Sequence, residues 1–240
     1  MITPDHFIDT CFIGDERGRI VSTREPEPAR GALFCIARGV GDCAWGVHAQ
    51  IPDDIAMAIE RIARSEPPAR DFRESPVHVA EYRRILNAHL FSQHGTDIEL
   101  LELSGPAMSF PQELPTVSDA LAVEEERLLA IEFGGWVIGE IAGGRGPVLA
   151  ICEKGRPVSV CFCARSAEAF AEAGVETAPR YRGRGLAVRA AAAWAHAIRA
   201  QGRTPLYSTQ WTNHASLAVA RKLRLMTYAS TWSLAEQAHK

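Results

Sequence analysis

Glu172-Ala-Gly-Val-Glu-Thr-Ala-Pro-Arg-Tyr-Arg-Gly-Arg-Gly-Leu-Ala187 decides the reading of this chain. An extended run, Phe170 to Thr177, gives way at Pro179 to a loop with two glycines, and a helix to about Gln201 begins directly. Gly183 and Gly185 open dihedrals closed to other residues and let a ligand approach the backbone. Successive N–H groups of such a loop converge on an anion, and the new helix adds its positive end. Arg180, Arg182 and Arg184 add full charges. The chemistry is that of a phosphate or pyrophosphate site at a helix start. Two nucleotide motifs fail on residues: no Gly-Lys pair exists for a Walker A loop, and Gly183-Arg184-Gly185 continues as Leu-Ala-Val, not as G-x-G-x-x-G.

Around this segment the second half predicts a helix from about Ala120 to Phe133. A hairpin follows, Val148–Glu153 and Pro157–Ala164, turning at Lys154-Gly155-Arg156. After the long helix, Gly202 suits its C′ position. A strand at Leu206–Thr209, a helix from Asn213 to about Leu225 and a strand at Met226–Ser233 complete the order. The first half reads as mixed α/β. Strands are expected at Arg19–Thr23, Ala32–Ala37 and Cys43–Ala49, and a helix after Pro52 with Ile55, Ile59 and Ile62 on one face. A second helix is expected behind a Ser75-Pro76 cap, with Val79, Tyr82, Leu86 and Leu90 as its stripe. A strand near Ile98–Leu103 and a proline-rich passage from Pro106 to Pro115 close this half.

The chain has 240 residues, 47% of them hydrophobic and 23% charged, which excludes a largely disordered chain. A net charge of −3 argues against nucleic acid as a partner. The uncharged stretch Pro205–Ala220 is too short for a membrane span, and Asp5 and Asp9 do not suit a signal peptide. Six cysteines form no C-x-x-C pair and no zinc pattern, and no H-E-x-x-H occurs, so no metal is expected and the reduced cytoplasm is the default compartment.

Arg180-x-x-Gly183-x-Gly185 resembles the [QR]-x-x-G-x-[GA] signature of the GNAT N-acyltransferase superfamily. Leu206-Tyr-Ser-Thr-Gln-Trp-Thr-Asn213, with Ser216, Ala220, Leu223 and Leu225, is similar to that family's fifth strand and following helix. The resemblance covers about residues 145–235. It implies a mixed α/β sheet whose fourth and fifth strands splay apart around acetyl-CoA, with residues 116–240 as the catalytic domain and 1–115 as an additional mixed α/β region of no assigned family. It implies that the coenzyme contacts Val175, Glu176 and Thr177 on the strand edge, Arg182, Gly183, Arg184, Gly185, Leu186 and Ala187 in the loop, and Asn213 and Ser216 beyond. Asn213 is also a good N-cap in its own right.

The activity implied is transfer of an acetyl group to a primary amine of a small molecule or peptide, with a backbone N–H polarising the thioester. A non-catalytic acyl-CoA-binding module is the alternative, because the sequence departs from the family. Ala220 stands where a tyrosine acid is usual, Arg224 where a glycine is usual, and Ser208 where some relatives carry a carboxylate. Tyr228 and Tyr207 are the substitute acids. For the base, Glu172 and Glu176 share one face of a regular strand, ~13 Å apart, so only one stands beside the thioester. Glu172 is the first candidate and Glu176 the second; pairing of either with Arg165 is the competing structural role.

Overall fold

The computed structural model describes residues 1–237. The chain runs α1 (Pro4–Cys11), β1 (Phe12–Gly14), β2 (Ile20–Thr23), β3 (Phe34–Arg38), β4 (Cys43–Val47), α2 (Asp53–Ala63), α3 (Val79–His94) and β5 (Leu100–Ser109). It continues through β6 (Ala120–Ala122), α4 (Glu126–Glu132), β7 (Leu149–Glu153), β8 (Arg156–Ser166) and β9 (Phe170–Thr177). It ends with α5 (Leu186–Ala200), β10 (Thr204–Ser208), α6 (His214–Lys222) and β11 (Met226–Glu236). This is the mixed α/β architecture expected.

Strands β1 and β2 form a small ribbon. The other nine make one sheet in the order β4-β3-β11-β5-β10-β9-β8-β7-β6. Residue 115 falls between β5 and β6, and the sheet crosses that point: β5 lies between β10 and β11, and β3 pairs with β11. Strand alternation sorts the layers. On one face Cys161, Cys163, Ala171, Ala173 and Tyr207 pack with α5, while Phe34, Ile36, Trp232 and Leu234 pack with α2 and α3. On the opposite face α4 covers Val160 and Phe162, and α1 sets Phe7 against Ala37, Ala107 and Ala229. Alanines on α5 bring that helix close to the sheet: Ala190, Ala191, Ala192 and Ala195 are all fully buried.

Three expected elements differ. The helix over 120–133 is a short strand, β6, followed by α4, because Ala120–Ala122 pairs with the otherwise free edge of β7. The Ser75-Pro76 cap does not form. The carboxylate of Glu66 accepts from the N–H groups of Val77 and His78 at 2.9 and 2.8 Å, and α3 begins at Val79. A buried side chain distant in sequence has taken the capping role. The strand near Ile98–Leu103 does not stop before Pro106 but continues through it to Ser109, paired with β11 throughout. Strand β10 accompanies β5 only over Ala107–Ser109, so the proline sits where one edge has lost its partner.

Candidate active site

Strands β9 and β10 run parallel and are paired at Phe170, Ala171 and Glu172 with Thr204, Pro205 and Leu206. There the ladder ends. Strand β9 continues to Thr177, and over residues 173–177 that edge has no partner strand among the described residues. Unpaired backbone in a fork of this kind is a template for an extended ligand. The fork opens into a cleft of about 840 Å³. Ala173, Val175, Glu176 and Thr177 form one wall, and Tyr207, Ser208 and Thr209 the other. The loop Arg182–Val188, excepting Arg184, closes one end, and Asn213, Ser216, Val219 and Lys222 of the α6 region another.

The loop is built as its glycines require. Gly183 and Gly185 both take φ +78°, and no atom lies within 4 Å of a Cβ placed on either, so conformation and not crowding selects glycine. Gly185 is the N-cap of α5, whose first-turn N–H groups lack intrahelical partners. Arg182 donates to the carbonyl of Thr177 at 3.1 Å, tying the loop to the end of β9. Arg180 pairs with Glu132 and Arg184 with Glu153, and both guanidinium groups lie against the Tyr181 ring. Asn213 caps α6: its carboxamide oxygen accepts from the N–H of Ser216 at 3.1 Å, leaving its NH₂ for another partner.

The acid and base candidates separate. Glu172 does not line this cleft. It is 4% exposed on the sheet face away from α5, at the root of the fork, where Arg165 Nη1 donates to its Oε2 at 2.9 Å and the hydroxyl of Ser208 donates to Oε1. Glu176 lines the cleft and is an exposed residue. Partial desolvation raises its pKa above the usual carboxylate range; Arg145 opposes this and Glu140 adds to it. Beside it, Arg145 lies over the rings of Trp136 and Phe162 and pairs with Glu140 at 3.0 Å. Phe162 in turn covers Gly174, where a Cβ would come within 2.5 Å of its ring.

Tyr228 lies outside the cleft, packed among Ala37, Ala107 and Ala229, with burial holding its phenol pKa well above the ordinary value. Tyr207, like Tyr181 of the loop, lines the cleft. Its OH is 2.7 Å from Ser216 Oγ, and burial pushes its pKa to about 12, against a lowering by that hydrogen bond. The cleft lining holds two carboxyls, Glu132 and Glu176, and two phenols, Tyr181 and Tyr207. Glu132 is paired with Arg156 and Arg180, while Glu176 and Tyr207 are each shifted toward the protonated form.

A family model for GNAT acetyltransferases matches residues 141–228. That span contains the hairpin, β9, the glycine loop, α5, β10, α6 and the start of β11. Over residues 141–228 the chain is similar to the GNAT acetyltransferases. One solved structure agrees in fold. A Drosophila protein of 15% identity superimposes with a TM-score of 0.50 over 89% of this chain and 77% of its own. A GNAT-family protein from Novosphingobium aromaticivorans shares 23% identity over 57% of this chain, at a TM-score of 0.47. A GNAT-family acetyltransferase from Colwellia psychrerythraea shares 16% over 63%, at 0.46. The chain spans 66% and 62% of those two proteins. No curated protein matches.

Within the matched span the departures from the family have structural counterparts. Ala220 is the buried residue of α6 and is absent from the cleft lining. Arg224, where a glycine is usual in the family, takes a left-handed backbone, φ 54°. Ser208 is turned to Glu172. Ala215, Val219 and Lys222 on the cleft face of α6 are residues that no motif marked; their spacing of four and three is the signal that was available. Among the described residues there is no group of three side chains suited to a metal ion and no helix long and apolar enough to cross a membrane.

Proposed function

We propose that this chain transfers the acetyl group of acetyl-CoA to a primary amine of a small molecule or peptide. The carrying observation is the fork: the β9–β10 ladder ends at Glu172 and leaves an open strand edge leading to a left-handed glycine pair at a helix start. A pyrophosphate suits the N–H groups from Arg182 to Ala187, with Arg184 contributing charge from outside the lining. A pantetheine arm suits the edge at Val175, Glu176 and Thr177, and the free NH₂ of Asn213 and the hydroxyl of Ser216 face the same space. Acetyl-CoA would supply the activated acyl group as a thioester. A free N–H of β9 serves to hold charge on the carbonyl oxygen.

Glu176 is the carboxyl we assign to removing the amine proton, directly or through water. It lies on the cleft, and its raised pKa brings it closer to the amine in basicity. Tyr207, protonated across the physiological range, is positioned to give a proton to the departing thiolate. Residues 1–115 we assign to acceptor contacts or an interface, since the cleft lining runs from Glu132 to Lys222. Six free cysteines fit a reducing cytoplasm.

A second reading, a non-catalytic acyl-CoA-binding module, is favoured by one observation: Ala220 occupies the place of the family's tyrosine and is buried. Steady thiol release from acetyl-CoA across a panel of amino acids, polyamines, aminoglycosides and peptide N-termini distinguishes the two. Calorimetric binding of CoA with no release for any amine would establish the module. No binding at millimolar CoA would defeat both readings.

A further inference from the structure

Glu172 sits at the point where β9 and β10 part, and its environment is built in a particular way. Strand β8 carries a bulge between Cys163 and Arg165, so Ala164 is unmatched and Arg165 stands opposite Glu172. Without that extra residue Arg165 would fall opposite Ala171, on the α5 face. The bulge therefore turns the guanidinium to the carboxylate it pairs with at 2.9 Å. The other carboxylate oxygen accepts from Ser208, two residues past the last β10 residue paired with β9. So Arg165, Glu172 and Ser208 link three strands across the mouth of the fork. The second nitrogen of Arg165 reaches Glu25 at 2.7 Å, and the Cys11 thiol of α1 lies 3.5 Å from Glu172 Oε2. Tyr228 of β11 is a further neighbour of the carboxylate. Burial, then the charge of Glu172, hold the Cys11 thiol well above its ordinary pKa, and Glu172 holds the Arg165 charge firmly in place. Both oxygens of Glu172 are committed to Arg165 and to donors around it.

We propose that the Arg165–Glu172–Ser208 link is a positioning device that fixes the separation of β9 and β10, and that Glu172 is not a catalytic residue. The inference rests on the coenzyme-cleft reading above. Of the three strands, β10 is the one held at the fork by a neutral side chain, so Ser208 is the joint through which the width of the cleft is set. Losing its hydroxyl lets β10 relax away from β9 beyond Leu206. The strand edge that receives the extended part of the ligand is then mispositioned, although none of the residues assigned to coenzyme contact or proton transfer has been changed.

The test uses the full chain with Ser208→Ala, Ser208→Thr and Glu172→Gln. CoA affinity is measured by calorimetry, and KM, kcat and pH–rate profiles with acetyl-CoA and an accepted amine. Ser208→Ala should weaken CoA binding and raise the KM for acetyl-CoA by about tenfold, with kcat within about threefold and the acidic limb unmoved. Ser208→Thr, which keeps the hydroxyl, should restore both. Glu172→Gln should act in the same direction; where it fails to fold, Ser208→Ala and Ser208→Thr decide alone. Unchanged affinity and KM in Ser208→Ala would overturn the proposal. So would loss of kcat and of the acidic limb in Glu172→Gln at intact CoA affinity, which would make Glu172 the base. Absence of CoA binding by the wild type would instead defeat the coenzyme reading itself, before any variant is compared.

Discussion

The two ends of the sheet follow different rules. Around β3, β11 and β5 the ladder is long: β11 pairs with β5 from Met226 to Glu236, with one bulge at Tyr228, and with β3 from Ser230 to Leu234. That end is filled by large side chains, with Phe34, Tyr82 and Trp232 in mutual ring contact under α2 and α3. At β9 and β10 the ladder stops after three pairs, the helix above is rich in alanine, and the space is a cleft. Continuous pairing leaves backbone groups nothing further to bind and produces a core. Interrupted pairing leaves an edge that wants a partner and produces a site. The first kind of region also supports the second. Gly105 of β5 lies so close to the β10–α6 connection that a Cβ there would be 1.7 Å from the carbonyl oxygen of Thr209. Trp211 donates its N–H to Ser104, and Arg73 stacks on the Trp211 ring.

The largest effect should come from breaking that support. Gly105→Val should destabilise the chain by ~3 kcal/mol or more, because backbone, not a flexible side chain, blocks the new atoms. Chemical denaturation measures this, and an unchanged midpoint would mean that the continuous end does not carry the Asn213 connection. Next is the cleft alone. Gly185→Val imposes a β-branched residue at φ +78°, costing about 1–2 kcal/mol of backbone strain, and should reduce CoA affinity on the order of 100-fold while circular dichroism stays that of the folded chain. Equal affinity would reduce the loop to a turn.

Glu176→Gln should lower turnover by roughly 10²-fold with CoA affinity nearly intact. The raised pKa means the wild-type base is ionised only above the usual 4.5, so activity should climb along an acidic limb lying above that value, and the variant should lose the limb. The same shift has a stability sign. A carboxyl raised in the folded state favours folding below its unfolded pKa, and this contribution is lost as pH rises through the folded value. Glu176→Gln should therefore flatten the pH dependence of the melting temperature in that window. The smallest effect lies at the joint between the two ends, where Arg224 turns α6 into β11 at φ 54°. Arg224→Gly should raise stability by about 0.5–1 kcal/mol, visible as a higher melting temperature, since glycine adopts this conformation without the Cβ penalty.

Much of the cleft was legible from residues. The limits of β9, the glycine loop, the N-cap at Asn213 and the left-handed Gly202 after α5 all follow from local chemistry: proline, glycine and capping side chains act within a few residues of themselves. What was not legible depends on partners far along the chain. The start of α3 is set by Glu66, β6 exists because β7 offers an edge, and β5 runs through Pro106 because β11 accompanies it.

The carboxylates show the same division. The sequence by itself established that Glu172 and Glu176 lie on one strand face, four residues apart, since alternation is a property of any strand. Which of the two meets the cleft was decided by the tertiary structure alone. One unmatched residue, Ala164, reverses the facing of Arg165, and the arrival of β10 brings Ser208 across the fork, so Glu172 is consumed in a buried ion pair while Glu176 stays open. A charge in a low-dielectric position takes whatever counter-charge and donors the fold brings to it, and that set is fixed by strand order and register, which no local pattern encodes.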